Sequence, residues 1–281
     1  VDDVPFHAAP AYFPRGNLLS VSRYWRIYRS FFVSSFAREL EFRANFIAKV
    51  AQNVVWVFFF IMILLVVYRN TATVAGWSRG DAFVLAATCF LMTSMLSAFF
   101  LSLQEIPQQV RQGTLDFVIT KPIDTQFWVS SRKFNFDQIG TLTAGFVMVF
   151  YGVRTAGLHP AFLDWIGYIA LTVSSLALFY SFYLILMTLG IWLVRVDNLW
   201  VLGESVVQVA RYPLDIYNVP IQRFFTFVLP LAFISTIPSR QLVNGFSATM
   251  VALGLFWGFV AVAVSRWFWN FALKHYSSAS S

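Results

Sequence analysis

Charge is what this 281-residue chain has least of. Only 12% of its residues are Asp, Glu, Lys or Arg, whereas 58% are hydrophobic and the mean hydropathy is +0.67. A soluble domain carries about 25% charged residues, so this chain cannot cover itself with a water-compatible surface, and a soluble globule is excluded. Cysteine is nearly absent as well: Cys89 stands alone inside an apolar run, which rules out an internal disulfide and reads as packing. Of three histidines, His7 and His275 lie near the termini and His159 sits in a loop beside Pro160, so no histidine metal cluster forms. The chain has no pair of Asp-rich motifs to hold a diphosphate through magnesium. It also lacks GxxxxGK[ST], the loop that cradles nucleotide phosphates. No catalytic residue and no metal ligand is assigned, and work driven by ATP would need a second chain.

Long apolar runs are what is there. A helix crosses about 30 Å of hydrocarbon with about 20 residues, every backbone hydrogen bond being made internally. Clear runs cover residues 46–68, 82–103, 134 or 139 to 153, 165–194 and 248–273. Two further stretches compete: 199–210, which carries Glu204 and Gln208, and 224–237, which Pro230 breaks. If the first crosses and the second enters and leaves on one side, the chain has six spans with both termini on one face. The 32 Phe and 10 Trp are read as lipid-facing or helix-packing groups, with Trp56, Trp77, Trp165, Trp200 and Trp267 as interface anchors.

Basic residues orient the spans. Arg38, Arg43 and Lys49, then Arg111, Lys121, Arg132 and Lys133, then Arg195, then Arg266 and Lys274 recur on one side of a six-span arrangement. Short basic loops stay cytoplasmic, so both termini and the 104–124 loop are expected there. Arg69, Arg79, Arg154, Arg211, Arg223 and Arg240 fall on the other side and run against the rule. No basic and aromatic groove points to nucleic acid. The alternating strands of an outer-membrane barrel are also missing, so a cytoplasmic or equivalent inner membrane is expected.

The first 45 residues divide in two. Residues 1–16 are Pro-rich and irregular, without the apolar core of a secretory signal. Residues 18–49 mix Arg23, Arg26, Arg29, Arg38 and Arg43 with Tyr24, Trp25, Phe31, Phe32, Phe36 and Leu40, which suits a helix lying in the headgroup plane. The expected organisation is a cytoplasmic segment at 1–45, a span domain at 46–273 and a short cytoplasmic tail at 274–281.

Between two of the apolar runs lies a polar island, residues 104–124. Such an island reads as a surface that another molecule grips. Within it Gln112, Gly113, Thr114, Leu115, Asp116 and Phe117, followed by Thr120, Lys121 and Pro122, closely resemble the link between the second and third spans of permease subunits in type-2 ABC exporters. The stretch 210–217 (ARYPLDIY), with LPLAF at 229–233 and IPSR at 237–240, is similar to a bacterial branch of uncharacterised permeases. The resemblance runs over about residues 24–270 and is specific for family, not for substrate.

That resemblance implies an all-α polytopic membrane protein with six transmembrane helices, an amphipathic N-terminal interfacial helix, a coupling helix between spans 2 and 3 and a re-entrant hairpin between spans 5 and 6. The coupling helix is expected at Glu105 to Gln112, with Pro107 tolerated in its first turn and Gly113 ending it. Ile106 and Val110, four apart, can share an apolar face, while Gln108, Gln109 and Arg111 present polar groups. The resemblance further implies a fifth span at 199–210 and a re-entrant pair at 223–242. Arg211, Tyr212, Pro213, Asp215 and Arg240 would then lie near the outer interface, where they gate exit or simply snorkel and pair. Glu204 and Gln208, also four apart, line a path or pack a dimer interface.

The partners it implies are two copies of an ABC ATPase subunit, a second permease, identical or a paralogue, and membrane lipids. ATP and magnesium would be bound by the ATPase, and this chain would bind no cofactor itself. An apolar, aromatic wall favours an amphiphilic or lipid-like cargo, with peptides, polyketide-like products and glycans left open; export rests on the resemblance alone. Two other classes compete. An ion-coupled secondary transporter needs an internal repeat and ion-binding broken helices; no such repeat is evident. A membrane enzyme needs polar groups converging at one depth, and Glu204 with Gln208 supplies no nucleophile.

Overall fold

The computed structural model describes residues 21–193, 199–228 and 231–276. The irregular segment expected at 1–16 lies outside them, as do Arg195, Pro230 and the last residues of the expected tail. The first helix, α1 (Val21–Glu41), gives way at Phe42, whose φ of −104° and ψ of 41° leave the helical region, to α2 (Arg43–Asn70). The interfacial helix is therefore shorter than the run 18–49, and Arg43 to Lys49 form the first two turns of a span. A tight hairpin, β1 (Thr73–Val74) paired antiparallel with β2 (Trp77–Ser78), turns at Ala75 and Gly76, both at positive φ.

Ser78 then starts α3 (Arg79–Phe100) with a reciprocal cap. Its Oγ accepts from the Asp81 amide at 3.3 Å, and its own amide donates to Asp81 Oδ2 at 3.0 Å. The island folds into three short helices, α4 (Ile106–Arg111), α5 (Asp116–Ile119) and α6 (Thr125–Ser131). The remaining elements are α7 (Ile139–Thr155), α8 (Phe162–Thr188), α9 (Leu199–Gln208), α10 (Val219–Arg223), α11 (Thr236–Val243) and α12 (Ala248–His275).

Among the described residues, five stretches are long and apolar enough to cross a membrane: Arg43–Asn70, Arg79–Arg111, Phe136–Thr155, Phe162–Ile191 and Ala248–His275. They match the five clear runs of the sequence. With its two-residue strands set aside, the chain is an all-α polytopic membrane protein. The core centres on α3, which packs along α7, while α8 packs along α12. Small residues permit the close approach: a Cβ at Gly152 would lie 2.8 Å from the Val84 backbone nitrogen, and one at Gly258 would lie 2.4 Å from Ser174 Oγ.

The competing region, 199–243, resolves into a broken crossing and a helical pair. The described part of α9 and the 3-10 turn Val209–Arg211 that follows it rise about 20 Å at 1.5–2 Å per residue. Tyr212 then adopts extended backbone, as the residue before Pro213 is biased to do. Beyond it the chain reaches the hairpin end without a regular helix, so the fifth span expected at 199–210 is helical over its described residues and breaks before Pro213.

Residues Leu231–Phe233 form a 3-10 turn and α11 follows; this pair is buried against α3 and α8. Hydroxyls satisfy the irregular backbone there. Ser175 donates to the Phe233 carbonyl and Ser235 to the Ala210 carbonyl, while Ser239 ties α11 to α3 by donating to Thr88 Oγ1 at 3.1 Å. Backbone outside a regular helix is tolerated at depth only with such shielding.

Candidate functional site

The polar island begins as α3 tightens into the 3-10 turn Leu101–Glu105 and re-forms as α4. Pro107 occupies the first turn, where its missing amide hydrogen costs nothing. It presses on the end of α8's extension, where a Cβ at Gly190 would lie 2.9 Å from Pro107 Cβ. Gly113, at φ +68°, ends the helix in a conformation that a side chain resists. The helix expected at Glu105 to Gln112 is thus present as Ile106–Arg111.

Its apolar pair, Ile106 and Val110, shares one face, and that face turns into the bundle. Ile106 is 0% exposed and Val110 6%, both inside a core that includes Leu103, Leu115, Leu184 and Met187. Gln109 is also buried, facing the Arg132 guanidinium with its amide oxygen. An apolar pair beside an otherwise oily bundle is worth more in the bundle than in water, which decides the orientation. The outward surface instead carries Gln108, Gln112, Lys121, Pro122 and Phe117, whose ring is 71% exposed. Phe117 belongs to the family-like motif, and the sequence assigns it no role. No local signal assigns its facing: Phe117 and Val118 point about 100° apart on a one-turn helix, and the neighbouring elements decide which turns inward.

Behind this surface lies a groove of about 430 Å³ between α4, α5 and α6, lined by Gln108, Gln112, Phe117, Lys121, Trp128 and Arg132 among others. The Lys121 ammonium stands 4.2 Å and the Arg132 guanidinium 4.4 Å from the Trp128 ring centroid. Glu105 pairs with both Arg132 and Lys133. Burial draws the Arg132 guanidinium down to about 10, still charged at neutral pH, and its Nε is buried without an acceptor. Burial, with Arg132 and Arg38 nearby, also lowers Lys133.

Two further structures clamp the island. Asp124 caps α6 by accepting from the Phe127 amide at 2.9 Å and receives both Nη groups of Arg266 from α12. Burial alone would raise the Asp124 carboxyl, but the Arg266 hydrogen bonds and the Phe127 and Gln126 amides outweigh it and hold the carboxyl low. Arg266 Nη1 also donates to Gln126 Oε1 at 3.0 Å, and Gln126 Nε2 donates to Tyr180 Oη of α8 at 2.9 Å. From the other side α1 lays its rings on the return strand of the island. Tyr24 packs edge-on to Phe127, Tyr28 and Phe32 to Phe134, and Phe36 to Phe136. The aromatic face expected to enter lipid is therefore partly spent on protein, while Trp25 and Leu40 stay exposed.

The residues expected at a path or outer gate separate into two groups. At the hairpin end, Asp215 accepts from Trp77 Nε1 at 2.9 Å and from Arg240 Nη2 at 2.6 Å. Arg211 is not with them. Its guanidinium lies 5.5 Å from the ring centroid of Trp56, halfway along α2. By helix rise Trp56 stands about 20 Å from either end of α2, so the two residues meet midway along that helix. Glu204 and Gln208 lie on the exposed face of α9, and Glu204 accepts from Trp200 Nε1 at 2.9 Å. Tyr212 is exposed and Pro213 buried.

A family model described as ABC-2 family transporter protein matches residues 54–280. No curated protein and no solved structure matches the chain.

Proposed function

The chain belongs to the ABC-2 transporter family, and from that premise we propose that it is an exporter permease whose island is the docking face for a separate ATPase. As a multi-pass membrane subunit of an ABC transporter it is not itself the ATPase, and the family implies an ABC ATPase partner. The finer reading is ours: two ATPases, carrying ATP and magnesium, close beneath two permeases in a bacterial inner membrane. Closure is passed through the island to the bundle, and the cargo is an amphiphile or lipid. The island and both termini face the cytoplasm.

The exposed Phe117 beside the groove carries this reading. A large ring left 71% exposed, at the rim of a cationic groove with an unsatisfied Arg132 Nε, is the composition of a docking surface. Ile106 and Val110 serve instead to fuse α4 to the core, so motion imposed on the outer face reaches α8 and α12 as rigid-body motion. The inner clamp of Asp124, Arg266 and Gln126 supports the same route.

The experiment is purification of the chain from native membrane, identification of an accompanying ATPase, and measurement of vanadate-sensitive hydrolysis in wild type and F117D. The expected result is a wild-type complex with hydrolysis, and a monodisperse F117D chain that has lost the ATPase. An intact wild-type preparation without any ATPase overturns the reading and moves attention to ion-coupled transport.

A further inference from the structure

Charge is scarcest at mid-membrane. Residues 50–68, 82–104, 139–153 and 165–188, the apolar stretches of α2, α3, α7 and α8, hold no charged side chain, and Arg266 in α12 is neutralised by Asp124. The broken crossing is the exception. Glu204, Gln208 and Arg211 are spaced four and then three apart, so they stack along one face of α9 and its terminal turn. Glu204 and Gln208 are exposed and Arg211 is partly so.

An ionisable side chain at such depth is costly unless a partner or a wet cavity receives it. Glu204 has the Trp200 indole. Arg211 has only a ring face: its guanidinium lies over Trp56, about 20 Å from either end of α2 by helix rise, and among the described residues no carboxylate pairs with it. The planar donors of a guanidinium are left for an acceptor-rich group. Glu204 of the same chain is about 10 Å away along the helix, too far to serve. In a dimer of identical chains about an axis normal to the membrane, a second copy brings another Arg211 to the same level and no carboxylate. The irregular backbone at Tyr212 and Pro213 sits immediately beyond, and backbone of this kind at depth lines a cavity or is shielded by protein.

Resting on the permease reading above, we infer that Arg211, with Gln208 on the same face and Trp56 beside it, binds the anionic headgroup, carboxylate or phosphate, of an amphiphilic cargo at mid-membrane. Trp56 and Val201, both exposed, supply apolar surface for the cargo's tail. The guanidinium takes the anion in a bidentate fork, which an ammonium at this position matches in charge but not in shape.

The test uses the full chain purified in nonionic detergent, together with any ATPase that accompanies it. Brominated stearate, brominated phosphatidic acid and a brominated alkyl-trimethylammonium of matched length are titrated while tryptophan quenching is read. The expected result is saturable quenching by at least one anionic probe, weakened about tenfold in R211Q, weakened less in R211K, and unchanged in R69Q, a cation at the end of α2. W56F removes part of the quenching amplitude. Preference between stearate and phosphatidic acid identifies the headgroup.

Equal binding of the anions by wild type and R211Q overturns the inference, as does tighter binding of the cationic probe. So does a lowered melting temperature in R211Q with binding intact, the mark of an arginine that only caps the α9 C-terminus. Absence of the ATPase from the wild-type complex instead strikes the permease reading, since probe binding is measured on the chain itself.

Discussion

At the island end Asp124 is held by Arg266 from α12, and at the hairpin end Asp215 is held by Arg240 from α11. Asp124 is also the cap of α6, touches Tyr24 of α1 through its amide, and belongs to a chain of bonds running through Gln126 to Tyr180 of α8. Among the described residues Asp215 receives only the Trp77 indole besides Arg240, and Trp77 in turn rests on Tyr68, whose hydroxyl donates to its carbonyl at 3.1 Å. The same pair of residue types thus does different work. At the island end it welds three helices to a surface proposed to receive force; at the hairpin end it closes a light strap that a modest free energy can open. What separates them is the number of elements each aspartate joins, not the strength of either ion pair.

The largest effect that would sharpen this contrast is at Ile106. I106D places an ionised carboxylate in the apolar core beneath α4 and is expected to cost about 4 kcal/mol or more, read as loss of monodisperse protein or a collapsed melting transition in detergent. A folded, stable I106D would mean that α4 hangs free of the bundle. Because F117D is expected to fold normally and lose only the ATPase, the two variants separate the inner and outer faces of one island.

Next in size is R266Q. It leaves the half-buried Asp124 without its cation, a loss of about 2 kcal/mol for charge-assisted bonds in a protected site, reduced to about 1 by solvent because the Arg266 side chain is 40% exposed. A melting temperature equal to wild type would remove the weld from the comparison.

The Asp124 carboxyl also sets a pH signature. Its folded value lies below the ordinary one of about 3.9, so its stabilisation is present above that pH and is lost as pH falls through the lower folded value. The stability gap between wild type and D124N should therefore be constant at neutral pH and shrink below about pH 4. A gap that widens there would reverse the assignment.

The smallest effect is expected at the other end. D215N should lower stability by less than about 1 kcal/mol, since the Arg240 side chain is 44% exposed, yet it should speed amide hydrogen exchange at residues 71–78. If D215N costs as much as R266Q, the two ends are equivalent and the contrast fails.

Much of this arrangement was readable from residue order. The five clear apolar runs became five long helices because length and hydropathy alone satisfy the bilayer condition. Pro107 and Gly113 bracketed α4 because each constrains backbone irrespective of neighbours. Side-chain facing was not readable. Ile106 and Val110 share a helix face whichever way it turns, and only packing against α8 and the turn that follows it decides that it turns inward. Arg211 was expected near the outer interface because 199–210 was counted as a full crossing, whereas the helix breaks before Pro213 and leaves the guanidinium beside Trp56, midway along α2.

The sequence by itself determined that this chain lives in a membrane, where its long helices lie, and where its polar island begins and ends. These follow from transfer free energies and backbone constraints that act residue by residue. Only the tertiary structure decided that Arg266 reaches Asp124, that Phe117 and not Ile106 faces outward, and that Arg211 meets Trp56 midway along α2. Each of those depends on contacts between residues dozens to more than a hundred positions apart, and no local pattern encodes the distance between them.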